Sequence, residues 1–294
     1  MPVESQPRPS TIPGPQPETR KPKLAFPPGA CDCHAHVFGP QSRYPFLPDA
    51  KYIAPDASPE DYVRMLRTIG CDRAVLVQPS VYGTDNSAML DALRSGIFAF
   101  RGIAVVDEDV SDRELEDMHA AGVRGVRINL AAWTPGLKLE QAPRLAARIK
   151  PMGWHLQFFV DFAKVPELEE RLMTLDIDIV LDHFGRAPAK DGVASPSFQT
   201  LLRLVSRENC WAKIMGVYFV SEAYPGFADV APLARAVVER APDRTVWATD
   251  WPHPMGLQRM PNDGDLADML ADWVPDETQR RKVLVTNPAR LYGF

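Results

Sequence analysis

The sequence predicts a (β/α)8 barrel of the TIM type with a proline-rich N-terminal arm. Eight short apolar, β-branched stretches recur along the chain, each followed by an amphipathic segment long enough for a helix. A length of 294 residues suits one large α/β barrel. The first strand runs into "CDCHAHVFG", which is not the Gly-rich phosphate turn that a doubly wound open sheet would place there.

Taken in order, residues 1–28 are rich in proline and polar side chains and almost free of aliphatic ones. Such a segment buries too little to offset its ordering entropy, so it reads as a loose, flexible arm ahead of a barrel spanning 29–294. The arm is long enough to wrap a neighbouring subunit of a homo-oligomer, though a surface leader is the simpler reading. The strands are expected at "ACDCHAHV" (30–37), "RAVLVQP" (73–79), "AFRGIAVV" (99–106) and "VRGVRINL" (123–130). "WHLQFFVD" (154–161), "DIVLDHF" (178–184), "CWAKIMG" (210–216) and "TVWATD" (245–250) complete the set. Between them, "SPEDYVRMLRTIG" and "SDRELEDMHAAG" each open on a serine with an acidic first turn and stop at a glycine, as helix capping requires. Further helical stretches fall near 84–96, 139–150, 164–175, 196–207 and 227–241, and the last ones, about 264–274 and 276–292, are expected to close or floor the barrel.

Composition excludes several function classes. A formal net charge of −5 and a pI near 5.7 leave no basic footprint for nucleic acid. No apolar run is long enough to span a membrane. The first residues lack the charged-then-apolar order of a signal peptide, which points to the cytoplasm. The four cysteines include no CxxC pair, and Cys31 and Cys33 share a strand, so buried free thiols are expected rather than bridges or a structural zinc.

Side chains alternate along a strand, so Asp32, His34 and His36 are expected on one face of the first strand and Cys31, Cys33 and Ala35 on the other. The small apolar set suits the helix layer, which leaves Asp32, His34 and His36 for the interior. His36 then lies nearest the C-terminal end, where barrel enzymes keep their chemistry. By the same reasoning His183 stands above Ile179 and Leu181, and Asp250 above Val246 and Ala248. Arg127 and Asn129 share a face of the fourth strand, and Ser80 and Tyr82 lie in the loop after the second. Lys213 falls in mid-strand, where a charge requires a partner or a polar interior. Three histidines and an aspartate at one end of strands one, six and eight make a candidate site. His155 opens strand five and belongs near the bottom, His119 reads as a surface residue, and His253 either caps the site or braces its loop.

The succession "DCHAHVFGP", "VQPSVYGTDN", "VRGVRINL", "VLDHFGR" and "WATDWPHP" resembles the amidohydrolase superfamily, in the branch that contains 2-pyrone-4,6-dicarboxylate lactonase. The resemblance covers residues 29–294. It implies a (β/α)8 barrel and hydrolysis of a lactone, often a carboxylated one. Carried over by motif, His34 and His36 form the HxH of strand one, His183 the strand-six histidine and Asp250 the strand-eight aspartate, while Tyr52, Ser80 and Arg127 match substrate-holding positions. The departures are specific. Where several carboxylate-clamping arginines are expected, only Arg127 is clearly kept. Trp133 follows strand four, Tyr218 and Phe219 follow strand seven, and Phe159 stands where a tyrosine is expected. Each missing guanidinium removes a bidentate partner for a carboxylate, so a smaller or more apolar lactone with one acidic group against Arg127 is expected. Tyr82, Trp133, Tyr218 and His253 complete the expected mouth.

Lactone hydrolysis needs a base for water and a polariser for the carbonyl. Asp250 is the expected base, and His34, His36 and His183 the polarising groups, with no metal required. The alternative is a single Zn2+ on His34, His36, His183 and Asp250, all acceptable ligand types. Against it, strand four ends in no lysine or acidic residue to bridge two metals, and strand five has no histidine near its C-terminal end. A zinc-dependent decarboxylase of an aromatic or unsaturated acid is a competing reading. "KIMGVYFVSEAYPGFADV" also resembles the sugar-acid lactone isomerases of the same branch, but those have lost HxH residues that this chain keeps. A non-catalytic binding barrel is the third reading. In each case the partner is a small lactone or carboxylic acid, within catabolism of aromatic or sugar acids.

Overall fold

The computed structural model describes residues 10–130, 136–165 and 168–294. Eight parallel strands form the barrel. They are β1 (Cys31–Ala35), β2 (Arg73–Val77), β3 (Ala99–Ala104), β4 (Val123–Asn129), β5 (His155–Phe159), β6 (Ile179–Leu181), β7 (Cys210–Ile214) and β8 (Thr245–Trp247). Each pairs with its neighbour in sequence, β1 through β8. The ring closes just beyond the strand ends, where the Asp250 N–H donates to His34 O at 3.0 Å and the His36 N–H to Trp251 O at 2.7 Å. The bonds that close the barrel are therefore the ones that bring the two histidines of β1 beside Asp250.

Helices follow the strands as the capping signals predict. Pro59–Ile69 and Asp112–Ala121 begin with reciprocal capping boxes at Ser58 and Ser111 and end on left-handed Gly70 and Gly122. On β2, Ala74 and Leu76 pack outward against this helical layer, while Val75 and Val77 turn inward. The inner cluster also takes Val180, Trp211, Val246 and Ala248, and is floored by Leu291 and Tyr292 of the C-terminal helix Asn287–Tyr292. The sequence expectation that the last helices close the barrel holds in this form.

Strand β1 departs from the expected alternation. Cys31 and Cys33 lie in the inner cluster, whereas Asp32 faces outward and accepts hydrogen bonds from the Thr249 hydroxyl at 2.5 Å and the Thr249 N–H at 3.0 Å. The pairing register with β2 shifts between Asp32 and Ala35. That irregularity lets His34 and His36 face inward although Asp32, which simple alternation puts beside them, does not. All four cysteines are buried and unbridged. The described part of the arm, from residue 10 onward, is fastened along its length, unlike the loose segment that its composition suggests. Ser10–Thr11 pairs in parallel with Tyr52–Ile53, and Arg20, Lys23 and Leu24 bond to Asn262 and Asp268. Specific main-chain partners do here what an apolar face does elsewhere.

Candidate active site

Asp250 follows β8 in the left-handed region, at φ 68°, a conformation that aspartate tolerates better than most residues. Its carboxylate is ringed by three imidazoles. His34 Nε2 and His36 Nε2 each lie 3.5 Å from Oδ1, and His183 Nε2 lies 3.4 Å from Oδ2. The Tyr218 hydroxyl donates to Oδ2. Burial works against ionisation of Asp250, yet His183, His36 and His34 together hold its carboxyl well below the usual range. Burial, with the neighbouring carboxylate, pushes the Tyr218 hydroxyl upward, so it stays protonated and donating. His36 Nδ1 lies 2.7 Å from Val77 O. A carbonyl can only accept, so Nδ1 carries a proton, and this bond fixes the ring with Nε2 towards Asp250.

Below this ring lies a charged network inside the barrel. Asp182, one residue past β6, accepts from Arg127 Nε and Gln157 Nε2, each at 3.1 Å, through Oδ2. Its Oδ1 lies 3.5 Å from His34 Nδ1 and 3.7 Å from Lys213 Nζ. Lys213 donates to Cys33 O at 2.9 Å and Gln157 Oε1 at 2.7 Å and sits 3.2 Å from His34 Nδ1. The mid-strand lysine thus has the polar interior that its position demands. Although burial opposes it, Lys213, His34 and Arg127 hold the Asp182 carboxyl well below its ordinary value. Burial and then Lys213 depress His34, which is therefore neutral. Asp182 escaped the sequence reading, although a carboxylate two residues after the inward-facing Val180 was the available signal.

His183 also reaches the site by a different route from the expected one. Ile179 and Leu181 pack into the outer layer, so simple alternation would aim His183 away from the pocket. Instead His183, Phe184, Gly185 and Arg186 all adopt positive φ, from 50° to 60°, and this turn swings both His183 and Arg186 over the barrel mouth. Such strained runs persist only where surrounding packing imposes them. Phe159 and Phe219 contact the His183 ring edge-on at centroid distances of 4.9 and 4.6 Å. Gly216, at φ 66°, leaves room for it, since a methyl there would fall 2.2 Å from His183 Cδ2.

The ring of imidazoles floors a cavity of about 330 Å³. Of the residues expected at the site, His36, His183, Asp250, Arg127, Ser80 and Tyr52 line it, and Phe159 and Phe219 join them. His34 stands behind the wall, fully buried, as a support for Asp250. Tyr218 likewise touches Asp250 and does not line the cavity. Tyr82 is turned away, its hydroxyl accepting from the Gly39 N–H at 2.8 Å, and His253 braces its loop by pairing with Asp263 Oδ1 at 3.1 Å. Trp133 lies outside the described residues. Three cations that the sequence reading missed also line the cavity, namely Lys51, Lys164 and Arg186. Arg186 stacks on both Phe159 and Phe219, its Cζ 5.4 and 5.5 Å from the ring centres, and Arg127 lies 4.9 Å from Phe159. Burial pushes the Tyr52 hydroxyl up to about 12 despite a hydrogen bond from Ser80, so it remains a donor.

The donor set at the floor of the cavity includes atoms that a metal could use. Ligand atoms of His34, His36 and Asp250 lie within 4.8 Å of one another. His34 Nε2, Asp250 Oδ1 and both nitrogens of His183 are buried with no hydrogen-bond partner among the described residues. Groups left in this way call for a water, a substrate oxygen or a cation, and the atom types suit zinc.

Comparison with known proteins bears on this geometry. The amidohydrolase family model (Amidohydro_2) matches residues 31–294. A 4-sulfomuconolactone hydrolase of Hydrogenophaga intermedia is 39% identical over 95% of this chain and 94% of its own. A 2-pyrone-4,6-dicarboxylate hydrolase of Comamonas testosteroni is 39% identical over 92% of each chain. Among solved structures, an Agrobacterium tumefaciens protein in its apo form superposes with a TM-score of 0.84 at 31% identity, covering 93% of this chain and 98% of that one. An amidohydrolase of Burkholderia multivorans with zinc bound shares the fold at a TM-score of 0.71 and 17% identity, covering 90% and 99%. The chain therefore belongs to the amidohydrolase family.

Proposed function

We propose that this barrel hydrolyses the ring ester of a small lactone carrying two acidic groups. The observation that carries the reading is a buried carboxylate ringed by imidazoles, at the floor of a cavity whose walls hold Arg127 and Arg186. Two relatives are named for hydrolysis of 4-sulfomuconolactone and of a pyrone dicarboxylate, which supports it. The expectation of a single acidic group against Arg127 is revised here, because Arg186 supplies a second guanidinium that only the turn after β6 reveals.

Asp250 takes a proton from water as the water oxygen attacks the ring carbonyl. His183 Nε2–H donates to the carbonyl oxygen and stabilises the oxyanion. When the ring C–O bond breaks, the leaving oxygen takes up the proton, and the new carboxylic acid ionises to release one. Arg127 presents its outer nitrogens to a substrate carboxylate because its Nε is held by Asp182. The low basicity of Asp250 suits a good leaving group, such as an enol oxygen.

Zinc held by His34, His36 and Asp250 would supply a bound water with a pKa near about 7. We place the chemistry on the side chains instead. Lys213 stands 3.2 Å from His34 Nδ1, and with Arg127 close by the positive charge beneath the ring lowers affinity for a dication.

The test is proton release on a panel of sulfonated, dicarboxylated and sugar-acid lactones, with the products identified by NMR. The expected result is an open-chain acid, fastest from lactones with two acidic groups. Rearrangement without ring opening would make it an isomerase. Loss of carbon dioxide from an unsaturated acid, with no lactone turned over, would make it a decarboxylase.

A further inference from the structure

The N-terminal arm touches both sides of the cavity mouth. On one side Ser10 and Thr11 align with Tyr52 and Ile53, and the Ile12 N–H donates to Ile53 O at 2.9 Å. Ile12 is buried at 5% exposure, in the same cluster as Tyr52 and Ala54. Lys51 and Tyr52 of that loop form one wall of the cavity. The loop is tied to the barrel at its ends by the Phe38–Ala57 bridge and by the Leu47 N–H to Val81 O at 2.8 Å, and the two-residue ladder with the arm holds the stretch between them.

On the other side the arm is fastened to the segment that supports the opposite wall. Asn262 Nδ2 donates to Glu18 O at 2.8 Å and its Oδ1 accepts from the Arg20 N–H at 2.9 Å. Asp268 Oδ1 accepts from the N–H groups of Lys23 and Leu24 at 2.7 and 2.9 Å. The backbone of Arg20 lies so close to Gly264 that a methyl there would fall 2.0 Å from Arg20 O. Next to Asn262, Asp263 holds His253, and the following residues, Pro254 and Met255, are wall residues. One continuous stretch of chain thus ties the Lys51–Tyr52 wall to the Pro254–Met255 wall.

We propose that the arm is a positioning element of the substrate site, fixing the separation of these two walls and thereby setting affinity for the lactone while leaving the chemical step to Asp250 and the histidines. This rests on the cavity being the lactone site. None of the arm residues named here lines the cavity, so the effect must pass through the two walls.

The test compares three full-length variants by steady-state kinetics and by backbone amide exchange. Ile12→Pro removes the N–H that Ile53 accepts, Asp268→Ala frees the arm at its half-buried far anchor, and Ile12→Val keeps both the bond and most of the packing. For Ile12→Pro the expected result is KM raised about five- to tenfold with kcat within about twofold, the loss of one main-chain bond setting the scale. Exchange should quicken at residues 50–57. Asp268→Ala should shift KM in the same direction by less, and Ile12→Val should match the parent. Faster exchange with an unchanged KM would overturn the proposal and leave the arm a purely structural tie, and unchanged exchange in both disrupted variants would overturn it as well. If the parent opened no lactone, the functional reading would fail by itself. Exchange at 50–57 would still decide whether the arm holds that wall.

Discussion

The surroundings of Asp250 keep it ionised, which suits the base role proposed for it and makes that base a modest one. His36 is pinned through Nδ1 with Nε2 towards Asp250, while His183 has no hydrogen-bond partner on either nitrogen among the described residues, which suits the proposed contact with substrate. Its placement depends on Gly216. Gly216→Ala is expected to lower kcat by about tenfold to a hundredfold, since a displacement of about 1 Å near the chemistry can cost that much. Steady-state rates beside a circular dichroism spectrum check this, and an unchanged kcat would show that the His183 ring position matters less than argued. At this scale the sequence showed His34, His36, His183 and Asp250, because strand ends can be read from periodicity and motif. It did not show Arg186 or the true path of His183. Both depend on a left-handed turn, and no alternation rule anticipates one.

At the scale of elements, β1 shows how a single irregularity sorts chemistry from scaffolding. Its register shift turns Asp32 outward to Thr249 and leaves His34 and His36 inward. The strand itself was legible. Its faces were not, because alternation presumes an unbroken ladder. Burial, opposed by the Thr249 hydrogen bonds, pushes the Asp32 carboxyl up to about 6. A raised carboxyl pKa means that the folded state holds a proton the unfolded chain has lost. The stabilisation is therefore present below the unfolded value of about 4 and is lost as pH rises towards about 6. Asp32→Asn removes that titration. The difference in Tm, variant minus parent, is expected to grow between pH about 4 and about 7, as thermal unfolding across that range would show. A constant difference would place the pH dependence elsewhere.

Over the whole molecule, architecture was the most legible level. Eight alternating strand and helix signals, with capping serines and glycines between them, leave few alternatives to a barrel. The arm was misjudged because composition reports what a segment can bury. It does not report which main-chain groups await it at Ile53, Asn262 and Asp268. The interior network of Lys213, Asp182, Gln157 and Arg127 joins four strands or their ends beneath the site, and only its lysine and its arginine stood out in the sequence. That network sets two cations, Lys213 and Arg127, against the Asp182 carboxylate beneath the site.

The most direct measurement is proton release from a lactone with two acidic groups, made on the parent and on Asp250→Asn after exhaustive chelation, with metal content determined alongside. The account predicts that the chelated parent keeps its turnover and that Asp250→Asn loses it by about 10² to 10⁴, the range for removal of a general base. Turnover that vanished on chelation and returned with zinc would contradict it and would make His34, His36 and Asp250 the ligands of a catalytic ion.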